Sequence, residues 1–331
     1  MGSTVSFVVA TYGRPEVLDA TLRALLLQRC PDWEAVVVGD CCDARTEAVV
    51  RAVGDRRIRF YNLPARYGEQ GGPNSVGLAV ARGELVTFLN HDDLLVPDHL
   101  DHVLARFGSG RVDVLATQFV KVRRFRAVAG HEPEIVCGAR VPGRVRKSDL
   151  IGHDMHRTEP SSAWTIRRSE AVRVGPWRSS QSMTRLPFQD WLLRLSRTAR
   201  SWRIDDRVTG LSLLGDYRRQ APEALALVGR LERLTPDEIR EAFPPQPTPT
   251  EAPVGSGVLR TAHRLDDLMA SLGRVAYRLT GFDYGPQPAR LRRRHRGRNA
   301  RELLVARTGE EMPDHSRLPG YLDDPEALRV F

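Results

Sequence analysis

Lysine is almost missing from this 331-residue chain: of its 50 basic side chains, all but Lys121 and Lys147 are arginine. The formal net charge of +9 is therefore an arginine charge. A GC-rich genome accounts for such a bias without any function. A surface that meets anions (nucleotide, phosphorylated acceptor, acidic membrane or nucleic acid) accounts for it as well, and charge alone does not choose. Cysteine is scarce too. Cys30, Cys41, Cys42 and Cys137 form no Cys-x-x-Cys pair and lack a second cluster at zinc spacing, which argues against a zinc module or a disulfide framework and for free thiols. No apolar run approaches the roughly 18 residues of a membrane span. Residues 1–10 read as a strand rather than a leader, having neither a basic n-region nor a cleavage site. Internal repeats and recognised nucleic-acid modules are absent as well. A cytoplasmic protein is expected, in contact with a membrane only peripherally and with no nucleic-acid partner.

What is present is a rhythm. Residues 5–10 (VSFVVA) form a continuous apolar run, as in a strand buried on both faces. A polar turn, Thr11-Tyr12-Gly13-Arg14-Pro15, leads to Leu18, Leu22, Leu25 and Leu26 at helical spacing. A second run at 35–38 ends at Gly39-Asp40, residues 46–53 read as a helix, and 58–61 as a short strand. The Gly-rich loop 68–72 precedes a helix expected over 74–81, and the buried strand 85–89 stops at Asn90-His91-Asp92-Asp93. Alternation of this kind predicts an α/β fold with a Rossmann-like, mainly parallel sheet flanked by helices. In such sheets the ligand lies beyond the carboxyl ends of the strands, which is where Thr11-Tyr12, Asp40 and Asn90–Asp93 fall.

The later chain is less regular. Residues 112–217 mix short strands and loops with one helix after Phe188, and 221–234 is helical. Thr235 to Glu238 carries a helix N-cap signature, 244–257 is a Pro/Gly/Thr-rich linker, and 258–279 bears an apolar helical stripe. Arg290 to Arg298 (RLRRRHRGR) is a basic segment that reads as a solvated face or as a phosphate- or membrane-binding patch.

Several residue types point to chemistry. Asp92 and Asp93 place hard carboxylate oxygens at a sheet edge, which suits Mn²⁺ or Mg²⁺ carrying a diphosphate; an Asx turn before the next helix is the plainer alternative. Asp40 offers an acceptor to a base N–H or a ribose hydroxyl. Asp190, in Gln189-Asp190-Trp191 at a helix start, is a carboxylate for proton abstraction or a dipole-stabilising charge. His153 and His156 in HDMH, with Trp164 and Trp191, are acceptor-site candidates, although buried core is the alternative for the tryptophans.

The stretches VSFVVATYGRPEVLDATLRALLLQ, WEAVVVGD and GLAVARGELVTFLNHDDLLVPDHL, in this order, resemble the donor half of inverting glycosyltransferase family 2. SSAWTIRRSEAVRVGPWR and FQDWLLRLSR resemble its acceptor half. The resemblance implies a GT-A fold and transfer of a sugar from a UDP or dTDP donor to an acceptor hydroxyl, the acceptor being a small molecule or a glycan. It implies Asp190 as catalytic base, Asp92 as direct metal ligand with Asp93 behind it, and a nucleotide-binding set of Thr11, Tyr12, Arg14, Asp40, Gly72, Asn74, Asn90 and His91. Three departures stand out: Gly39 where an aspartate is common, Asn74-Ser75 in place of Arg-Asn, and Asn90 at the first position of the Asp-x-Asp motif. The processive members' Gln-x-x-Arg-Trp motif is absent, so a polymer synthase is not expected. Residues 1–110 would form the donor half, 111–219 the acceptor half of the same domain, and 220–331 a helical extension through which a homodimer could form. The rival readings are a nucleotidyltransferase and a binding module of the same fold with reduced catalysis.

Overall fold

The computed structural model describes residues 4–110, 112–124, 134–137, 160–178, 187–215, 221–235, 237–238 and 241. His153, His156, the linker at 244–257, the apolar stripe at 258–279 and the basic segment at 290–298 lie outside them.

Nine strands among these residues form one sheet: β1 Val5–Thr11, β2 Trp33–Gly39, β3 Ile58–Asn62, β4 Leu85–Phe88, β5 Asp93–Leu95, β6 Val114–Arg124, β7 Glu134–Cys137, β8 Trp164–Arg167 and β9 Trp202–Gly215. Their order is β3-β2-β1-β4-β8-β6-β9-β5, with β7 on β6. The helices are α1 Pro15–Leu26, α2 Ala44–Val53, α3 Gly71–Val80, α4 His99–Gly108, α5 Arg168–Val174, α6 Pro187–Thr198 and α7 Ala221–Arg233.

The first four strands are parallel, as the buried apolar runs predict. The rest of the sheet is mixed: β8 runs antiparallel to β4 and β6, β7 to β6 and β5 to β9, while β6 and β9 are parallel. "Mainly parallel" thus describes only the first half. For β7 the physical reason lies in the connection, since the short link from β6 leaves no room for a crossover helix.

Local signals explain the elements. Proline occupies the first turn of α1, where its missing N–H costs nothing. Asp43 caps α2 by accepting the Thr46 amide, and Gly54 ends it in the left-handed region at φ 68°. Thr235 and Glu238 form the reciprocal capping pair that the sequence predicts. One difference is that α3 begins at Gly71 rather than Asn74. The Tyr67 ring covers this turn so closely that a Cβ on Gly72 would lie 2.4 Å from ring Cγ, so glycine here is a packing requirement rather than a loop signal.

The largest core joins β1, β2 and β4 to α1 and α4, and continues into an aromatic group formed by Phe88, Trp164, Trp177, Phe188 and Trp191. A second core packs Ala20 and Ala24 of α1 with Leu94, Leu211 and Leu213, closed by Ala224, Leu227, Val228 and Leu231 of α7. The first helix beyond residue 220 is therefore built into the fold against α1.

Candidate active site

The ends of β1, β2 and β4 meet at one edge of the sheet. Thr11 is in register with Gly39, the Asp40 amide donates to the Thr11 carbonyl at 2.9 Å, and Leu89 donates to Val8 at 2.8 Å. Gly13, at φ 62°, turns the chain out of β1 into α1 and leaves Tyr12 and Arg14 at the rim. Tyr12 is 38% exposed, and the Arg66 guanidinium lies 4.1 Å from its ring centre, a cation–π pair. Arg14 Nη1 donates to Asp92 Oδ2 at 3.0 Å.

Several of the expected nucleotide-binding residues make hydrogen bonds within the protein. Both Asp40 oxygens accept backbone amides, from Tyr67 at 2.5 Å and Gly68 at 2.7 Å, so this carboxylate anchors the Gly-rich segment. His91 Nδ1 and Thr11 Oγ1 are 2.9 Å apart, and the His91 carbonyl accepts the Thr21 hydroxyl at 2.9 Å. Gly72 and Asn74 are buried in α3. These five brace the sheet edge, while Tyr12 and Arg14 stand at its rim with Asp92 largely buried beneath Arg14.

The two adjacent carboxylates divide. Asp93 is buried; its Oδ2 accepts Asn90 Nδ2 at 2.8 Å and Ser162 Oγ at 2.5 Å, while Ser161 Oγ donates to Asn90 Oδ1 at 2.9 Å. Burial, then the neighbouring Asp92 charge, push its pKa up to about 7, against the hydrogen bonds from Ser162, Asn90 and Ser212. Asp93 thus lies behind Asp92, with its Oδ2 engaged in the interior. Among the described residues, no group of three or more His, Cys, Asp or Glu side chains could hold a metal alone. Asp92 still fits Mn²⁺ or Mg²⁺, because such ions commonly keep waters and take one or two carboxylates plus substrate phosphates.

Asp190 lies in the first turn of α6, 2% exposed. Arg194, one helical turn on, donates through Nε to Asp190 Oδ2 at 2.9 Å, and through Nη1 and Nη2 to the Val174 and Pro176 carbonyls at 2.8 Å each. Arg178 Nη1 is 3.7 Å from Asp190 Oδ1. The segment carrying Arg178 also reaches α3, since the Trp177 amide donates to Ser75 Oγ at 2.9 Å. Trp191 lies edge-on to Phe88, the last residue of β4, with ring centres 5.1 Å apart. Helix α6 is thus tied to both the Gly-rich segment and the strand that delivers Asp92.

Trp164 and Trp191 are corrected as acceptor contacts. Neither has more than a trace of exposed surface: Trp164 packs on Phe188 and Trp202, and Trp191 Nε1 donates to the Gly175 carbonyl. Cys30, Cys41 and Cys42 are free thiols, and burial raises the Cys42 pKa. Sequence reasoning missed Ser161, Ser162, Arg66, Arg178 and Arg194. Only Arg194 carried a readable signal, its (i, i+4) spacing from Asp190.

Residues 6–170 match the family model described as Glycosyl transferase family 2; Asp190 lies beyond the matched stretch. The succinoglycan biosynthesis protein ExoO of Rhizobium meliloti (strain 1021) is 35% identical over 102 residues, covering 31% of this chain and 29% of that protein. The GalNAc(5)-diNAcBac-PP-undecaprenol beta-1,3-glucosyltransferase of Campylobacter jejuni is 29% identical over 120 residues, covering 35% of this chain and 38% of that protein. The matches thus span well under half the length of these curated relatives. The structure of S. aureus TarS 1-349 in complex with UDP-GlcNAc superposes with a TM-score of 0.50 at 20% identity, covering 73% of this chain and 70% of that one. That likeness identifies the fold as GT-A.

Proposed function

This chain belongs to glycosyl transferase family 2, and from that premise we propose that it transfers a sugar from a UDP or dTDP donor to an acceptor hydroxyl, with inversion at the anomeric carbon. The observation that carries the reading is the Arg14–Asp92 pair at the rim where β1 and β4 end. It places a cation and a hard anion side by side at the edge where an open α/β sheet binds its ligand.

Tyr12, backed by Arg66, supplies a stacking face for the nucleoside. Asp40 and the Thr11–His91 contact fix the loops on either side of it. Asp92 is the residue to hold Mn²⁺ or Mg²⁺, which when bound supplies Lewis-acid neutralisation of the departing diphosphate. Asp190 is the base. Its Oδ2 is committed to Arg194, so Oδ1 takes the acceptor's proton. The freed oxygen attacks the anomeric carbon as the bond to the diphosphate oxygen breaks. Arg194 holds Asp190 through Nε while the Val174 and Pro176 carbonyls hold Arg194, and this orientation is worth more to an in-line attack than freedom of motion.

Calorimetry of UDP, dTDP and GDP with and without Mn²⁺, followed by a nucleotide-sugar hydrolysis panel, tests the proposal. Metal-enhanced binding of UDP or dTDP with slow hydrolysis of one cognate sugar is the expected result. Failure to bind any nucleoside diphosphate would overturn it, and binding without turnover across donors and acceptors would favour the binding-module reading.

A further inference from the structure

The proposed metal ligand is already partnered. Arg14 Nη1 sits 3.0 Å from Asp92 Oδ2, with a third of the Arg14 side chain in solvent and only a tenth of Asp92. Asp93 offers no substitute, because Asn90 and Ser162 hold its carboxylate inside. A guanidinium keeps its charge at any accessible pH. A divalent ion reaching Asp92 in the nucleotide-free protein must therefore displace Arg14 or bind beside a fixed positive charge. A diphosphate removes the conflict, since its oxygens accept the guanidinium's fork and ligate the metal at the same time. Arg14 is the N-cap residue of α1 and makes no side-chain cap bond to the helix, so its guanidinium is not needed to cap the helix.

We propose that Arg14 couples metal binding to donor binding: it occupies Asp92 while the site lacks nucleotide and passes to the diphosphate when donor and metal arrive together. The proposal rests on Asp92 as the metal ligand. Coupling of this kind is reciprocal, so nucleotide raises metal affinity by the factor by which metal raises nucleotide affinity. The guanidinium makes the metal-free, nucleotide-free state a closed ion pair, which disfavours idle metal loading.

The test uses the full chain and Mn²⁺ electron paramagnetic resonance without nucleotide, with UDP affinity measured separately by calorimetry in the presence and absence of Mn²⁺. Arg14→Gln removes the charge, Arg14→Lys keeps it, and Asp92→Asn removes the ligand; a thermal melt of each confirms folding. The proposal expects Arg14→Gln to bind Mn²⁺ without nucleotide about tenfold more tightly than the parent chain and to bind UDP without metal more weakly. Arg14→Lys should stay near the parent in Mn²⁺ affinity, and Asp92→Asn should lose Mn²⁺ binding. Unchanged nucleotide-free Mn²⁺ affinity in folded Arg14→Gln overturns the coupling while leaving Asp92 as ligand. Absence of any Mn²⁺ effect on UDP affinity in the parent chain overturns the metal reading and the coupling with it, and the two failures are thereby told apart.

Discussion

At the end of β4, Asp92 meets Arg14 at 3.0 Å with much of the arginine in solvent; at the start of α6, Asp190 meets Arg194 at 2.9 Å with both side chains withdrawn. The first arginine has a partner it can exchange. The second is held by every polar group of its guanidinium, two of which bond carbonyls at the end of α5 and just beyond it. The same pair of residue types thus makes a movable counter-charge in one place and a fixed brace in the other. What separates them is burial and the number of bonds the arginine makes, since an exposed ion pair contributes little whereas breaking a buried one leaves an uncompensated charge.

The sharpest way to break this comparison is at the acids themselves. Asp190→Asn is expected to lower kcat by about 10² to 10⁴ while leaving UDP affinity unchanged, because asparagine keeps the shape and cannot take the proton. Asp92→Asn should instead abolish the metal dependence of UDP binding. Near-normal turnover by Asp190→Asn would remove α6 from the chemistry and leave Arg194 a structural pair only.

Stability separates the arginines next. Arg194→Leu strands the buried Asp190 carboxylate without its hydrogen-bonding partner, and about 3 kcal/mol of unfolding free energy should be lost. Arg14→Gln at the rim should cost about 0 to 1 kcal/mol. Urea midpoints on the two variants read the difference directly; equal losses would erase the distinction between brace and counter-charge.

Much of the donor edge was legible because it is written locally. Buried parallel strands appear as unbroken apolar runs, and the polar residues that end them must fall on one edge, so Thr11, Tyr12, Asp40 and Asp92 could be placed together from spacing, whereas Arg14 came only with the family resemblance. Which of them face the rim was not legible. That depends on partners far away in the chain: Ser162 for Asp93, Tyr67 and Gly68 for Asp40, Thr11 for His91. The acceptor half was harder still. Trp164 and Trp191 could equally have been exposed stacking faces, and only the packing of Phe88, Trp177 and Phe188 around them turns both into core. Antiparallel β8, only four residues long, carried no periodic signal of its own direction.

The donor half is also tied by close backbone approach, where the α6 side relies on aromatic packing. A Cβ on Gly77 of α3 would lie 2.2 Å from Val8 Cγ1, in the middle of β1. Valine is stiff at χ1 and this one is fully buried, so it has little room to yield. Gly77→Ala should therefore cost about 1 to 3 kcal/mol by overpacking, despite alanine's better helix propensity. A melting temperature at or above that of the parent chain would show that α3 can lift off β1 without penalty.

The smallest expected effect concerns Glu34, the buried acid that ties the far ends of β1 and β2 to β3 and to the turn before β4. It accepts Ser6 Oγ at 2.7 Å, the Arg82 amide at 2.6 Å and Arg59 Nη2 at 2.8 Å. Burial works to raise its pKa, but the bonds from Ser6, Arg82 and Arg59 outweigh burial and hold it below the ordinary 4.5. A carboxyl lowered in the folded state binds fewer protons than in the unfolded chain. Its contribution is present above pH 4.5 and is lost as pH falls through the folded value. His99 titrates in a different window. Burial, then the nearby His102, push it from 6.5 down to about 3, so its share of stability declines as pH drops from 6.5 toward 3. Comparing Glu34→Gln with the parent chain removes the histidine from the difference, since both proteins carry it. The gap in melting temperature between them should hold steady from pH 7 to about 5 and then shrink as Glu34 in the parent is neutralised. A gap that keeps its full size at pH 3 would mean that Glu34 holds the strand ends by shape and hydrogen bonding alone, its charge contributing nothing.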